Sequence, residues 1–181
     1  MAEPFLKYAH VERERRWLVD PATPLPEGDD VLAIVDRYVT GSRLRLREVR
    51  AADGTLTRKL GHKVRLGSGP EEVACTSLYL DAGEWELLSA LPSVELRKQR
   101  TRLRLGGTIV AVDVFAGHCA GLVLVEVDGS PDLLPSDAGL AVVAEVTTDE
   151  RFTGGGLADA SREQVLAALA AYGVVPVGDP G

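Results

Sequence analysis

The feature that most constrains this chain is a set of rows in which every second residue is charged, each row nearly of one sign. Glu12, Glu14 and Arg16 form the first row. Arg43, Arg45 and Arg47 form the second, alternating with Leu44 and Leu46. Lys98, Arg100, Arg102 and Arg104 form the third, with Leu103 and Leu105 on the opposite parity, and Glu126 and Asp128 follow Leu122 and Leu124 in the fourth. Period-two alternation is the signal of a strand, in which residues i and i+2 share one face roughly 7 Å apart. Each row therefore predicts a charged strand face.

The ordinary explanation for one such row is the solvent face of a half-buried antiparallel strand. Solvated faces usually mix signs, because like charges stacked along a strand repel. Acidic rows beside basic rows fit a ligand that carries both signs, such as a polyphosphate with a divalent metal: carboxylates hold Mg²⁺ or Mn²⁺, and arginines and lysines hold phosphate oxygens. If the rows face inward, the interior is a charged tunnel. Unpaired buried charges cost several kcal/mol, in the range of about 3–5, so such a tunnel stays wet or holds its ligand. The apolar strand faces would then point outward, beneath covering helices.

Alternation marks further strands at 31–39, 56–66, 72–80, 108–115 and 141–147, giving about eight or nine in all. Turn chemistry separates them at Pro24 to Asp29, Asp53-Gly54, Gly67 to Pro70 and Gly106-Gly107. Two segments read as helices: 82–90 behind Asp81, and 161–172 between a capping Ser161 and Gly173, followed by a tail. The residues alone suggest a mainly β chain, either an antiparallel barrel or a sandwich.

At 181 residues the chain is expected to form a single domain, residues 1–181. No apolar stretch approaches the 18 or so residues of a membrane helix, and the start of the chain lacks a signal-peptide core, so a cytoplasmic protein with no membrane partner is expected. A net charge of −7 argues against nucleic acid as a partner. Cys75 and Cys119 lack metal-site spacing and read as small buried hydrophobes.

In order along the chain, these motifs resemble the CYTH superfamily, the triphosphate tunnel metalloenzymes, which include inorganic triphosphatases, thiamine triphosphatase and class IV adenylate cyclases. Glu12-Arg13-Glu14-Arg15-Arg16 resembles its ExExK signature, Arg43-Leu44-Arg45 its RxR strand, and Lys59-Leu60-Gly61-His62-Lys63 its KLTxK. Lys98-Gln99-Arg100 is similar to its KxR, Val112 to Phe115 to its aspartate strand, Gly121 to Asp128 to GLxxxExE, and Glu145-Val146-Thr147 to the EVT of bacterial members. The resemblance covers about residues 10–160.

It implies a mainly β (α+β) fold, an eight-stranded antiparallel β-barrel tunnel with a few covering helices, that hydrolyses a triphosphate with Mg²⁺ or Mn²⁺. Glu12, Glu14, Glu126 and Asp128 would hold metal, with Glu145 in support. Glu12, Glu14 and Arg16 would be catalytic, and Arg43, Arg45, Lys63, Lys98 and Arg100 would clamp the small-molecule triphosphate. Arg47, Lys59 and Arg102 rank second. A homodimer is left open. Arg16 in place of Lys, Gly61 in place of Thr and Asp128 in place of Glu depart from the family pattern.

Inorganic tripolyphosphate is the expected substrate. The alternatives are an organic triphosphate (thiamine triphosphate or ATP), a non-catalytic polyphosphate- or nucleotide-binding module, and an ordinary barrel scaffold. His10, His62 and His118 are too scattered for metal ligands, with His62 facing away from Lys63. Trp17 and Trp85 read as outer-face or helix-packing residues, Gly154 to Gly156 as a flexible turn, and Val165, Leu166, Leu169 and Tyr172 as a packing stripe.

Overall fold

The computed structural model describes residues 8–28, 30–66, 72–129 and 133–176. The predicted turn at Gly67 to Pro70, residue Asp29 and the end of the predicted tail lie outside the described residues. In chain order the elements are β1 (His10–Val19), β2 (Asp30–Val39), β3 (Leu44–Ala51), β4 (Leu56–Arg65), β5 (Glu72–Tyr79), α1 (Ala82–Ser89), β6 (Ser93–Leu105), β7 (Thr108–Phe115), β8 (Val123–Asp128), β9 (Val142–Glu145), α2 (Gly154–Asp159) and α3 (Arg162–Ala170).

The sheet runs β5-β4-β3-β2-β6-β7-β8-β1-β9, and a β1–β5 pairing closes its first eight strands into a barrel with β9 as an extra strand. Every pairing is antiparallel. Closure falls to β1, whose first half pairs β5 (His10 to Arg13) and whose second half pairs β8 (Glu14 to Leu18). Among the hairpins, β6 turns into β7 through Gly106 and Gly107, at φ +53° and +91°. Two successive left-handed residues match the twist of a two-residue hairpin, and glycine adopts them without strain.

The closed barrel makes the charged rows inward faces, and each gives way to apolar residues at one end. Glu12, Glu14 and Arg16 lead to Leu18 on β1, Arg100 and Lys98 to Leu96 on β6, Glu126 to Leu124 on β8, Asp113 to Phe115 on β7, and Asp36 to Tyr38 on β2. Leu18, Leu96, Phe115 and Leu124 join Phe152, Leu157, Val165 and Leu169 in one buried cluster. The segment after β9 thus plugs the end of the barrel. A second cluster lies on the outer face, where Trp17, Val19, Val110, Val112, Val125 and Val127 pack beneath Leu25, Leu133, Ala138 and Leu140.

Two expectations are corrected here. The predicted helices do not cover the outer apolar face: α1 buries none of its residues, and α3 packs its Val165, Ala168 and Leu169 into the plug. The connections β1–β2 and β8–β9 supply the cover instead. Gly154 to Gly156 are not a flexible turn but open α2, capped by the Thr153 side chain accepting from the Gly156 amide. These glycines allow close packing, since a Cβ on Gly154 would strike the Tyr38 hydroxyl and one on Gly156 the Glu150 carbonyl. The helices themselves start as predicted, with full capping boxes at Asp81/Glu84 and Ser161/Gln164.

The plug makes a prediction. Phe152 is 1% exposed, so Phe152→Ala should cost about 3–5 kcal/mol in urea unfolding. Leu87→Ala on the exposed face of α1 should stay within about 0.5 kcal/mol. Equal effects of the two would contradict the plug.

Candidate active site

Above the plug the barrel encloses a cavity of about 350 Å³. Its lining carries eight cationic side chains (Arg16, Arg43, Arg45, Arg47, Lys63, Arg65, Lys98, Arg100) against three carboxylates (Glu14, Asp36, Glu126). The excess of positive charge is a direct result of alternation: β3, β4 and β6 each turn their basic parity inward.

Two buried aspartates organise these cations. Asp36 on β2 is 1% exposed and stands directly opposite Arg47 on β3. Arg47 donates to it through Nε at 2.6 Å and Nη2 at 2.7 Å, a bidentate fork, while Arg45 Nε lies 3.5 Å from the same carboxylate. Asp113 on β7 is fully buried and stands opposite Arg100 on β6. It accepts from Arg100 Nε and Nη2, both at 2.6 Å, and from Lys98 Nζ at 2.5 Å. Against the upward push of burial, Arg47 and Arg45 hold the Asp36 carboxyl well below the usual carboxylate range, so it stays ionised.

The acidic side is less fully paired. Glu12 accepts from Lys63 Nζ at 2.8 Å and from the Cys75 thiol at 3.1 Å. Glu126 accepts from Arg100, and Lys98, Arg100 and Arg16 outweigh burial to keep it well below the usual range. Glu14 is different: its nearest ion-pair partner, Lys63, is 3.9 Å away. Burial, then the neighbouring Glu126 carboxylate, pushes its pKa up. Burial likewise raises the Cys75 thiol to about 11, against the pull of Lys63. Among the described residues two buried side-chain nitrogens have no hydrogen-bond partner, Arg16 Nε and Arg45 Nε, and both residues line the cavity.

Of the predicted residues, Glu14, Arg16, Arg43, Arg45, Lys63, Lys98, Arg100 and Glu126 line the cavity, and second-ranked Arg47 joins them. Glu12 faces the same interior through Lys63. Asp128 stands across from Glu14 but is exposed, and its carboxylate accepts from the Arg13 amide. Arg102 pairs with Asp30 at the barrel edge, and Lys59 sits 4.7 Å from the Tyr79 ring centroid, both outside the cavity lining. Glu145 does not join the carboxylates. It takes a fork from Arg15 on the opposite face of β1, while Thr147 accepts from the Arg16 amide and so fixes the β1 backbone. Sequence reasoning missed Asp36, Tyr38 and Arg65. An acid following Leu32 and Ile34 on the inward parity of a mostly apolar strand was the available signal for Asp36.

No protein-family model matches the chain, and no curated protein sequence does. Solved structures do. The inorganic triphosphatase NE1496 is 28% identical with a TM-score of 0.51, over 82% of this chain and 95% of that one. A second structure of NE1496 gives 28% and 0.52 over 83% and 99%. The chain has the fold of the CYTH superfamily. A conserved hypothetical protein from Pyrococcus furiosus aligns at 16% identity and a TM-score of 0.49, over 91% of each chain. No helix among the described residues is long and apolar enough to cross a membrane.

The tunnel's electrostatics make a prediction for the metal-free protein. A carboxyl whose pKa is raised on folding destabilises the fold above that folded value and ceases to do so below its unfolded value, near 4.5. Glu14→Gln in EDTA should therefore raise the melting temperature at pH 7–8, and the gain should fade toward about pH 4 as wild-type Glu14 takes up its proton. A gain that is absent at neutral pH, or that grows on acidification, would contradict the assigned repulsion.

Proposed function

We infer that the tunnel binds and hydrolyses a triphosphate, with inorganic tripolyphosphate as substrate and Mg²⁺ or Mn²⁺ as cofactor. The observation that carries this reading is the pair of buried guanidinium nitrogens without a hydrogen bond, on Arg16 and on Arg45, in a cavity whose lining cations outnumber its lining carboxylates by eight to three. A buried donor without an acceptor costs about 1–3 kcal/mol, and a polyanion supplies the acceptor. The 28% identity to an inorganic triphosphatase supports the same ligand class.

The residues suit a hard divalent cation. Glu14 and Glu126 offer carboxylate oxygens on neighbouring strands, and the repulsion that raises Glu14 is what a cation would relieve. Among the described residues no three acidic, His or Cys side chains are gathered to hold an ion by themselves. Mg²⁺ is commonly held through one or two carboxylates plus substrate phosphates, which this pair permits. Glu12 and Asp128 are the further donors of the assignment. When bound, the metal supplies charge neutralisation on phosphate oxygens and activation of water.

The chain's own residues do the positioning. Phosphoryl transfer needs little covalent chemistry, so alignment and charge stabilisation provide most of the rate. Arg47, Lys98 and Arg100 are fixed by Asp36 and Asp113 and present a rigid cationic wall. Arg16 and Arg45 are left with unused donors to grip phosphate oxygens. Arg43 and Lys63 complete the clamp. The apolar plug walls one side of the cavity beside its opening, and its Phe152 ring is committed edge-on to Tyr172, so that ring is not free to stack on a substrate.

A second reading, a polyphosphate-binding module without turnover, draws on the engagement of Glu12 and Glu126 by Lys63 and Arg100. Phosphate release from tripolyphosphate, ATP and thiamine triphosphate separates the readings. Release from tripolyphosphate that requires Mg²⁺ or Mn²⁺, stops with EDTA and falls about 10- to 100-fold in kcat/KM in Arg16→Ala is the expected result. Binding without release would favour the module.

A further inference from the structure

The cavity opens where Ser42, Arg43 and Arg65 are exposed, and this rim carries a contact that the reading above leaves unused. Arg65 follows Lys63 by two residues on β4, so both project from one face about 7 Å apart, and both line the cavity. Arg65 donates to the carboxylate of Glu150, in the 3-10 turn Glu150–Phe152 that leads into α2. Glu150 does not itself line the cavity, although Phe152, Thr153, Gly154 and Gly155 do. Its carboxylate pairs, from outside the lining, with one of the lining cations.

The turn that presents Glu150 is firmly held. Asp149 accepts from Arg151 at 2.6 Å and from the Tyr172 hydroxyl at 3.0 Å, Phe152 is buried in the plug, and Gly156 packs directly on the Glu150 carbonyl. The ion pair itself is wet, with side chains 47% and 71% exposed. Exposed pairs add little to stability, so this one is cheaply exchanged. A phosphate oxygen pair offers an arginine fork the same planar geometry with more charge.

We propose that Arg65, paired with Glu150 in this structure, is a further phosphate-binding residue at the tunnel rim, and that it selects linear phosphates of three or more units over pyrophosphate. This rests on the triphosphate reading and narrows its substrate class. A diphosphate seated on Arg16 and Arg45 is satisfied inside the tunnel. A longer chain extends to the rim, takes the Arg65 fork and releases the Glu150 carboxylate to water.

Calorimetric titration of tripolyphosphate and pyrophosphate in EDTA at fixed salt tests this with wild type, Arg65→Gln, Glu150→Gln and the double variant. Arg65→Gln should weaken tripolyphosphate about threefold to tenfold and leave pyrophosphate within about twofold. Glu150→Gln should tighten tripolyphosphate, and that gain should vanish in the double variant. Equal weakening of both anions by Arg65→Gln, no weakening, or a Glu150→Gln effect that persists without Arg65 would each overturn the rim site alone. Failure of the wild-type chain to bind tripolyphosphate would overturn the triphosphate reading and the rim site with it.

Discussion

Eight cations facing one cavity repel one another, and the structure depends on how that repulsion is contained when no anion is present. Asp36 and Asp113 contain it. Each is buried, each faces an arginine directly across a strand pair, and each reaches a second cation on the same neighbouring strand. Buried ion pairs of this kind add little net stability, because desolvation offsets attraction, but breaking one leaves a stranded charge at a cost of about 3–5 kcal/mol. Their consequence is geometric: Arg47, Lys98 and Arg100 are held in place before any ligand arrives. Binding then does not have to order them, which is where preorganisation gains affinity.

The same pairing rule leaves a remainder. Arg16 is 6% exposed and its Nε makes no hydrogen bond, and Arg45 Nε makes none either, lying 3.5 Å from the Asp36 carboxylate that Arg47 already holds. Glu14 is the corresponding remainder on the acidic side, pushed up by burial and by Glu126. The tunnel's unmet needs are thus an acceptor near two arginines and a cation near two carboxylates. A triphosphate with a divalent metal would meet both, and Arg16 presents a fork where the ExExK signature it resembles has the point charge of lysine.

Much of this was legible in the sequence, because a strand's period of two assigns every residue to a face. The rows through Glu14, Arg45, Lys98 and Glu126 were readable for that reason, but alternation left barrel and sandwich open, and only the resemblance to the CYTH motifs turned the rows into the inside of a barrel. Alternation carries no information about depth, however. Arg102 and Arg104 keep the parity of Lys98 and Arg100 yet lie at the barrel edge and β6–β7 hairpin, where β6 runs beyond the tunnel. Asp36 was hidden because one acid among Val31, Leu32, Ile34 and Val35 forms no row. The plug was hidden for a different reason: Gly154 to Gly156 read as a turn, and only tertiary packing against Tyr38 and the Glu150 carbonyl shows why glycine is needed at the start of α2.

The account stands on the claim that the guanidinium nitrogens of Arg16 and Arg45 that make no hydrogen bond in this structure are anion donors. A crystal structure of the chain with tripolyphosphate, grown in EDTA so that metal does not place the ligand, tests that claim most directly. The account predicts phosphate oxygens within hydrogen-bond distance, about 2.7–3.2 Å, of both Nε atoms, with Asp36 and Asp113 still paired to Arg47 and Arg100. Tripolyphosphate bound outside the barrel, or inside it with both nitrogens still unpartnered, would contradict it.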